Sequence, residues 1–196
     1  MHCCFQISSK TSRITSSKIR IETYLTPFDN EKQIGRSHNI HCACVPNSDD
    51  WICITDSDVL FLLPDTKKQI SDIIERHDFD VYGCLTNRIG SPHQQADGFS
   101  ENTDILYHKK IAQKLQKERY FDVKETKINI AGFLMVFQKK TWEKYKFSDN
   151  SIRFDSEFTD KVIKDGGKLG IMQGVYVFHD YRLGQNNPKF YINHLK

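Results

Sequence analysis

The chain has 196 residues, of which 38% are hydrophobic and 12% aromatic, so it is long enough for one compact domain with a single core. It is too short for two full enzyme domains. Its 28 Lys and Arg residues exceed its 25 Asp and Glu residues by only three, a charge too small to indicate a nucleic-acid partner. No run approaching the roughly 18 apolar residues of a membrane-spanning helix occurs in the sequence, so we expect no transmembrane segment.

The N-terminus differs in composition from the rest of the chain. Residues 1–21 contain no Asp or Glu, and seven of them are Ser or Thr. Their short apolar stretch, residues 3–7, is too brief for a secretory signal. We predict a tail or loosely attached segment over residues 1–18 and one domain over residues 19–196. Because the six cysteines form no CxxC pair, we expect reduced thiols and a cytoplasmic location.

Apolar spacing predicts alternating strands and helices after the tail. The run at residues 51–54 has no polar alternation, which is typical of a strand covered on both faces in a parallel sheet. We therefore predict an α/β domain with a mostly parallel central sheet flanked by helices. The predicted strands cover residues 19–25, 51–55, 81–85, 128–137 and 175–178, and the predicted helices cover 34–45, 70–77, 103–117, 141–147 and 156–165.

Two acidic residues, Asp56 and Asp58, follow the apolar strand at residues 51–55 directly. Ligands of open α/β sheets bind at the carboxyl ends of strands. Residues i and i+2 of an extended backbone point the same way, so both carboxylates can face one hard cation such as Mg²⁺ or Mn²⁺. Solvated acids in a turn are the alternative, but the apolar residues that follow favour a metal site.

Other polar residues stand at the ends of predicted elements. Asp155 and Glu157 open a helix, where the helix dipole by itself also favours acids. His179 ends the last strand and is either a structural histidine or a metal ligand beside the carboxylates. Asn87 and Arg88 end another strand, where the guanidinium could bind phosphate or form a surface salt bridge.

Taken in chain order, these features resemble the inverting GT-A glycosyltransferases of the family 2 type. The shared pattern is a strand, a D-x-D pair, a later helix opened by D-x-E, and a strand that ends in histidine. It extends over about residues 19–183. Only one strand and one helix precede the D-x-D pair, whereas typical members have two more strand–helix steps. The resemblance therefore implies a single-domain GT-A fold with a shortened N-terminal half, as in compact bacterial or phage forms.

The resemblance also implies an activity. The enzyme would transfer a sugar from a nucleotide-sugar donor (a UDP- or GDP-sugar) to a hydroxyl of a glycan, lipid-linked or other acceptor, with inversion. Asp56, Asp58 and His179 would hold Mn²⁺ or Mg²⁺. Asp155 would be the general base. Glu157 is the alternative candidate, because Phe154 stands where the family usually has the Glu that precedes this Asp. The residues predicted to bind the donor are Pro27, Phe28, Arg36, Asn39, Asp56, Asn87, Arg88 and Gly132.

Two other functions are compatible with parts of this pattern. Phosphatases of the haloacid-dehalogenase type also have D-x-D after an apolar strand, and Asp56 would then be the nucleophile. However, Leu60 stands where that family has Thr or Val, and no later G-D-x-x-x-D occurs. The third possibility is a catalytically inert α/β module that binds a sugar nucleotide.

Overall fold

The computed structural model describes residues 33–181 and the backbone of two short strands near the N-terminus. Pro27 and Phe28, both predicted donor-binding residues, lie outside the described residues. The described strands are β1 (His2–Ile7), β2 (Tyr24–Leu25), β3 (Trp51–Asp56), β4 (Val59–Phe61), β5 (Val81–Thr86), β6 (Val123–Thr126), β7 (Leu134–Gln138) and β8 (Leu169–His179). The described α-helices are α1 (Ile34–Ala43), α2 (Thr66–Ile74), α3 (Ile105–Arg119), α4 (Lys139–Tyr145) and α5 (Phe154–Lys164).

The strands form one mixed sheet, so the predicted α/β class is confirmed at that level. The strand order is β2-β1-β3-β7-β5-β8-β4, and β6 also pairs with β8. Among the described strands only β5 and β8 pair in parallel, and every other pairing is antiparallel. The prediction of a mostly parallel sheet is therefore wrong. An apolar run indicates that both faces of a strand are buried. It does not indicate whether the neighbouring strands are parallel or antiparallel, because both faces can be buried in either case.

Helices cover both faces of the sheet, which explains the unbroken apolar run in β3. Ile52 and Ile54 belong to a core shared with α1, α3, α4 and α5. Trp51 and Cys53, which alternate with them, belong to a second core that includes α2. No helix in the described part of the chain is long and apolar enough to cross a membrane.

Several elements differ from the sequence predictions in extent. Strand β8 has eleven residues, where four were predicted, and it pairs with β5 on one side and with β6 and β4 on the other. The strand predicted over residues 128–137 is shorter and begins at Leu134. Helix α3 is capped by Asp104, whose side chain accepts a hydrogen bond from the backbone N–H of Leu106. The predicted helix begins at residue 103, whereas the observed helix begins at Ile105.

Six residues of the predicted tail have a defined backbone partner. Strand β1 pairs antiparallel with β3 along its whole length, from His2 opposite Asp56 to Ile7 opposite Trp51. Strand β7 pairs with the other edge of β3. Because β3 is hydrogen-bonded on both sides, its carboxyl end, which carries Asp56, has a fixed position.

Helix α1 packs closely on the loop before α5, and Gly35 is the point of contact. A Cβ added to Gly35 would lie 2.0 Å from the backbone oxygen of Ser148. Helix propensity alone would favour alanine at this position by about 1 kcal/mol. We expect Gly35→Ala to destabilise the fold by about 1–3 kcal/mol instead, because the overpacked contact dominates.

Urea unfolding of Gly35→Ala, with Gly90→Ala as the matched control, measures this effect. A Cβ at Gly90 has no heavy atom within 4 Å, so the control should change stability by no more than about 0.5 kcal/mol. A stabilised Gly35→Ala protein would contradict the close packing of α1 on this loop.

Candidate metal centre

The structure brings Asp56, Asp58 and His179 together at one edge of the sheet. Asp56 ends β3, and the turn that contains Asp58 leads directly into β4. Strand β4 pairs with the end of β8, with Val59 opposite His179. A ligand atom from each of the three residues lies within 4.8 Å of the other two. Two backbone hydrogen bonds fix the turn: Asp56 N–H donates to the Phe133 carbonyl at 3.0 Å, and Asp180 N–H donates to the Asp58 carbonyl at 2.9 Å.

The hydrogen bonds of His179 define which ring nitrogen faces the carboxylates. Nδ1 lies 3.0 Å from the backbone oxygen of Arg88. Because a carbonyl oxygen can only accept, Nδ1 carries the proton, and the neutral ring has its lone pair on Nε2. The buried Nε2 faces Asp58 Oδ1 at 3.2 Å and Asp56 Oδ2 at 3.8 Å, and it makes no hydrogen bond within the described part of the chain.

This arrangement fits a divalent cation. A nitrogen lone pair and two carboxylates that point at one another repel, and either a cation bound between them or a proton on Nε2 would relieve this repulsion. The three groups together are a nitrogen and oxygen ligand set that suits Mn²⁺ and other divalent ions. The side chain of His179 is only 1% exposed, whereas those of Asp56 and Asp58 are 28% and 42% exposed. The site is therefore open to solvent on its carboxylate side, and His179 closes the opposite side.

Asn87 and Arg88, both predicted to bind the donor, hold His179 in place. The Asn87 side chain accepts from the His179 backbone N–H at 2.7 Å and donates to the His179 carbonyl at 3.2 Å. Arg88 is fully buried, and its guanidinium pairs with Glu101 at 3.1 Å. The ring of Phe133 stacks on the His179 imidazole with centroids 5.2 Å apart. These contacts orient the imidazole, as outer contacts of metal-binding histidines commonly do.

The Asn87 contacts predict a measurable effect on stability and on metal binding. Asn87→Ala leaves a buried backbone N–H and carbonyl of His179 unpaired, which should cost about 1–3 kcal/mol in the free energy of unfolding. Mn²⁺ affinity should fall by about 10–100-fold, since the imidazole loses its support. Urea unfolding and Mn²⁺ titration measure the two effects, with the exposed Asn150→Ala as control. Unchanged Mn²⁺ affinity in a folded Asn87→Ala protein would contradict the positioning role.

Asp155, the predicted general base, lies beside this centre in the first turn of α5. Its Oδ2 accepts from the Gly132 backbone N–H at 2.7 Å, and its Oδ1 accepts from the Ser156 N–H at 2.7 Å. Burial raises the pKa of Asp155, and the negative charge of Asp56 raises it further, while the two backbone hydrogen bonds oppose the shift. The Asp155 carboxylate is thus within electrostatic reach of the metal centre and has more proton affinity than an ordinary aspartate.

Gly132, predicted to bind the donor, lies directly against Asp155. A Cβ at Gly132 would lie 3.1 Å from the Asp155 Cβ and 3.2 Å from Asp155 Oδ2. Glycine therefore allows the close approach of the turn before β7 to the start of α5. This turn also supplies the Phe133 carbonyl that binds the backbone of Asp56. The turn at residues 131–133 consequently connects the candidate base with the candidate metal centre.

Glu157, the reserve candidate for the base, makes its contacts in the loop before α5. The Ser151 hydroxyl donates to Glu157 Oε1 at 2.6 Å. Hydrogen bonds from Ser148 and Ser151 lower the pKa of Glu157. A carboxylate in the first turn of a helix also interacts favourably with the helix dipole. In this structure Glu157 therefore stabilises the start of α5.

The lowered pKa of Glu157 predicts a pH-dependent contribution to stability. A carboxyl group with a lower pKa in the folded state stabilises the fold above its unfolded pKa of about 4.3. That contribution is lost as pH falls through the folded pKa. The urea midpoint of Glu157→Gln should therefore be below that of the wild type at pH 7, and the difference should shrink below about pH 4. An equal difference at both pH values would show that ionisation of Glu157 has no part in the effect.

The structure places Arg36 and Asn39, also predicted donor-binding residues, in helix α1, and neither belongs to the group of potential metal ligands. Asn39 Oδ1 accepts from the Trp142 indole N–H at 2.8 Å, and Asn39 Nδ2 donates to the Phe147 carbonyl at 2.8 Å. Arg36 and Asn39 line an open depression of about 370 Å³ together with Trp142 and Lys146. Asn39 thus ties α1 to α4 and to the loop that follows α4.

Sequence reasoning missed Gln94, which supports the site from the 3₁₀ turn after β5. Its buried side chain donates to the Cys84 carbonyl at 3.3 Å and accepts from the Ala131 backbone N–H at 2.8 Å. Gln94 therefore links β5 to the turn that carries Gly132. A glutamine within a polar loop has no local pattern that could have identified this role.

Comparisons with protein-family models, with curated proteins and with solved structures found no match for this chain.

Proposed function

We propose that this protein is a metal-dependent glycosyltransferase that moves a sugar from a nucleotide-sugar donor to an acceptor hydroxyl. The observation that carries the proposal is the convergence of Asp56, Asp58 and the buried Nε2 of His179 on one point, with the Asp155 carboxylate nearby. The order of these residues in the chain, which resembles that of family 2 GT-A enzymes, supports the same activity.

In this proposal Asp56, Asp58 and His179 hold Mn²⁺ or Mg²⁺. When bound, the cation would supply Lewis-acid stabilisation of the negative charge that gathers on a leaving nucleoside diphosphate. The two carboxylates, which are the more exposed groups of the site, would hold the cation from the solvent side. The Nε2 lone pair of His179 faces the site because Nδ1–H donates to the Arg88 carbonyl. The Asn87 side chain accepts a hydrogen bond from the His179 backbone N–H. The imidazole is therefore oriented before any ligand binds.

Asp155 then acts as the general base. An acceptor hydroxyl is a weak nucleophile at neutral pH, so its proton must be taken as its oxygen bonds to the anomeric carbon. The raised pKa of Asp155 increases its proton affinity, and the backbone N–H groups of Gly132 and Ser156 hold the carboxylate in one orientation. Attack on the face opposite the diphosphate breaks the bond to the leaving oxygen and inverts the anomeric centre.

A donor screen tests the proposal. The full chain is incubated with UDP- and GDP-sugars, with and without Mn²⁺, and the nucleotide products are followed by NMR. Mn²⁺-dependent release of a nucleoside diphosphate from one donor is the expected result. Free phosphate released from simple phosphate esters would indicate a phosphatase instead. Binding of a nucleotide sugar with no turnover in the presence of acceptors would indicate an inert module.

A further inference from the structure

A second cavity of about 300 Å³ lies at the carboxyl end of β5, beside the candidate metal centre. The loop that follows β5, helix α3 and strand β8 enclose it. Its volume is at the lower end of the range for small-molecule sites. Asn87 belongs to both sites, since it lines this cavity and also holds the His179 backbone. Its other principal lining residues are Asp97, Phe99, Glu101, Tyr107 and Tyr176.

The hydroxyl of Tyr176 has a fixed orientation in the wall of this cavity. His108 is buried, and its Nε2 lies 2.8 Å from the backbone oxygen of Asn102, so Nε2 carries the proton. In the neutral ring His108 Nδ1 is then an acceptor, and it lies 2.7 Å from the Tyr176 hydroxyl. Tyr176 must donate its proton to His108. Its oxygen consequently offers only lone pairs to the cavity.

The charged groups of the cavity are acidic and only partly neutralised. Glu101 is paired with the buried Arg88, whose guanidinium also lies over the Phe99 ring at 4.7 Å. Asp97 forms no ion pair with any residue between 33 and 181. Asp97 and Tyr176 line the same cavity. Burial raises the pKa of Tyr176, and the negative charge of Asp97 raises it further. Among the described residues that line the cavity, the Asp97 charge is therefore the one without an ion-pair partner.

The cavity thus combines hydrogen-bond acceptors, the Asp97 charge and aromatic walls. Phe99 and Tyr107 are 50% and 44% exposed, so both rings are accessible to a ligand. An ammonium group has three donors and no acceptor, and it is attracted to aromatic faces. A phosphate or carboxylate would be repelled by Asp97. A metal ion is disfavoured, because Asp56, Asp58 and His179 are the one group of ligands with suitable spacing among the described residues.

We infer that this cavity binds the protonated primary amine of an amino sugar. Asp97 and the Tyr176 oxygen would accept hydrogen bonds from the ammonium group, and the apolar face of the sugar would pack on Phe99 and Tyr107. Asn87 joins the cavity to the metal centre, which would make the cavity the acceptor subsite. That last assignment rests on the proposed function, whereas amine binding by itself does not.

Binding of three monosaccharides to the full chain, without metal or nucleotide, tests the inference. Glucosamine carries the ammonium group, glucose lacks the amine, and N-acetylglucosamine carries a neutral amide of similar shape. Titrations followed by NMR should give a Kd for glucosamine that is at least about tenfold lower than those for the other two, as expected when an ammonium pairs with a carboxylate beside aromatic rings. Asp97→Asn should abolish this preference, whereas the exposed Asp78→Asn should preserve it.

Equal affinities for the three sugars would overturn the inference. So would binding of none of them, or a preference for glucosamine that survives in a folded Asp97→Asn protein. The titration also separates this inference from the proposed function, because it needs neither metal nor donor. A protein that prefers glucosamine but has no transferase activity would contradict only the acceptor assignment and the proposed function.

Discussion

Asp58→Asn is expected to weaken Mn²⁺ binding by about 100-fold or more, the largest effect on metal binding that we predict. Substitution of a residue that only orients a metal ligand lowers metal affinity by about 10–100-fold. Asp58 would itself be a ligand, so its substitution should lower the affinity further. Its Oδ1 is the carboxylate oxygen nearest His179 Nε2, at 3.2 Å compared with 3.8 Å for Asp56. Asp58 is also the more exposed of the two acids. We therefore expect a larger loss from Asp58→Asn than from Asp56→Asn.

Titration calorimetry with Mn²⁺ measures this affinity directly, and no donor or acceptor needs to be known. The matched control is Asp78→Asn, which removes one exposed carboxylate on the loop between α2 and β5. It should bind Mn²⁺ like the wild type. Thermal unfolding shows whether each variant is folded. Wild-type Mn²⁺ affinity in a folded Asp58→Asn protein would show that the acid–acid–histidine cluster is not a metal centre.

Under the proposed function, Asp155→Asn is expected to lower the rate of sugar transfer by about 10²–10⁴-fold, the usual contribution of a general base. Metal and nucleotide binding should change little, because Asp155 is not among the grouped metal ligands. The variant should also lose some stability. Its amide can accept a hydrogen bond from only one of the two backbone N–H groups, of Gly132 and Ser156, that the carboxylate now binds.

The control for this experiment is Asp160→Asn, which changes another acid of the same helix. The transfer rate of this control should match that of the wild type. A matching rate would exclude a general effect of the reduced negative charge on α5. The stereochemistry of the wild-type product gives an independent measurement. A β-linked product from an α-linked donor supports direct displacement, and an α-linked product contradicts it. Loss of nucleotide or metal binding in Asp155→Asn would instead identify Asp155 as a structural residue.

The sequence alone determined the α/β class and the positions of the acids and the histidine along the chain. Residues 51–54 are apolar without alternation, and they are a strand with helices on both faces. Asp56 ends that strand, Asp155 lies in the first turn of a helix, and His179 ends the last described strand. All of these features follow from local patterns, because the burial of a strand or helix determines the spacing of its own apolar residues.

Only the tertiary structure decided how these elements meet. The pairing of β4 with β8 places His179 beside Asp58, although the two residues are far apart in the chain. Asn87 was predicted to bind a ligand, and the structure adds that its amide hydrogen-bonds the backbone of His179. Strand direction was also not predictable, because side chains in parallel and antiparallel strands are buried in the same way. Which strands pair depends on how segments far apart in the chain pack together. The spacing of residues within one segment does not predict that pairing.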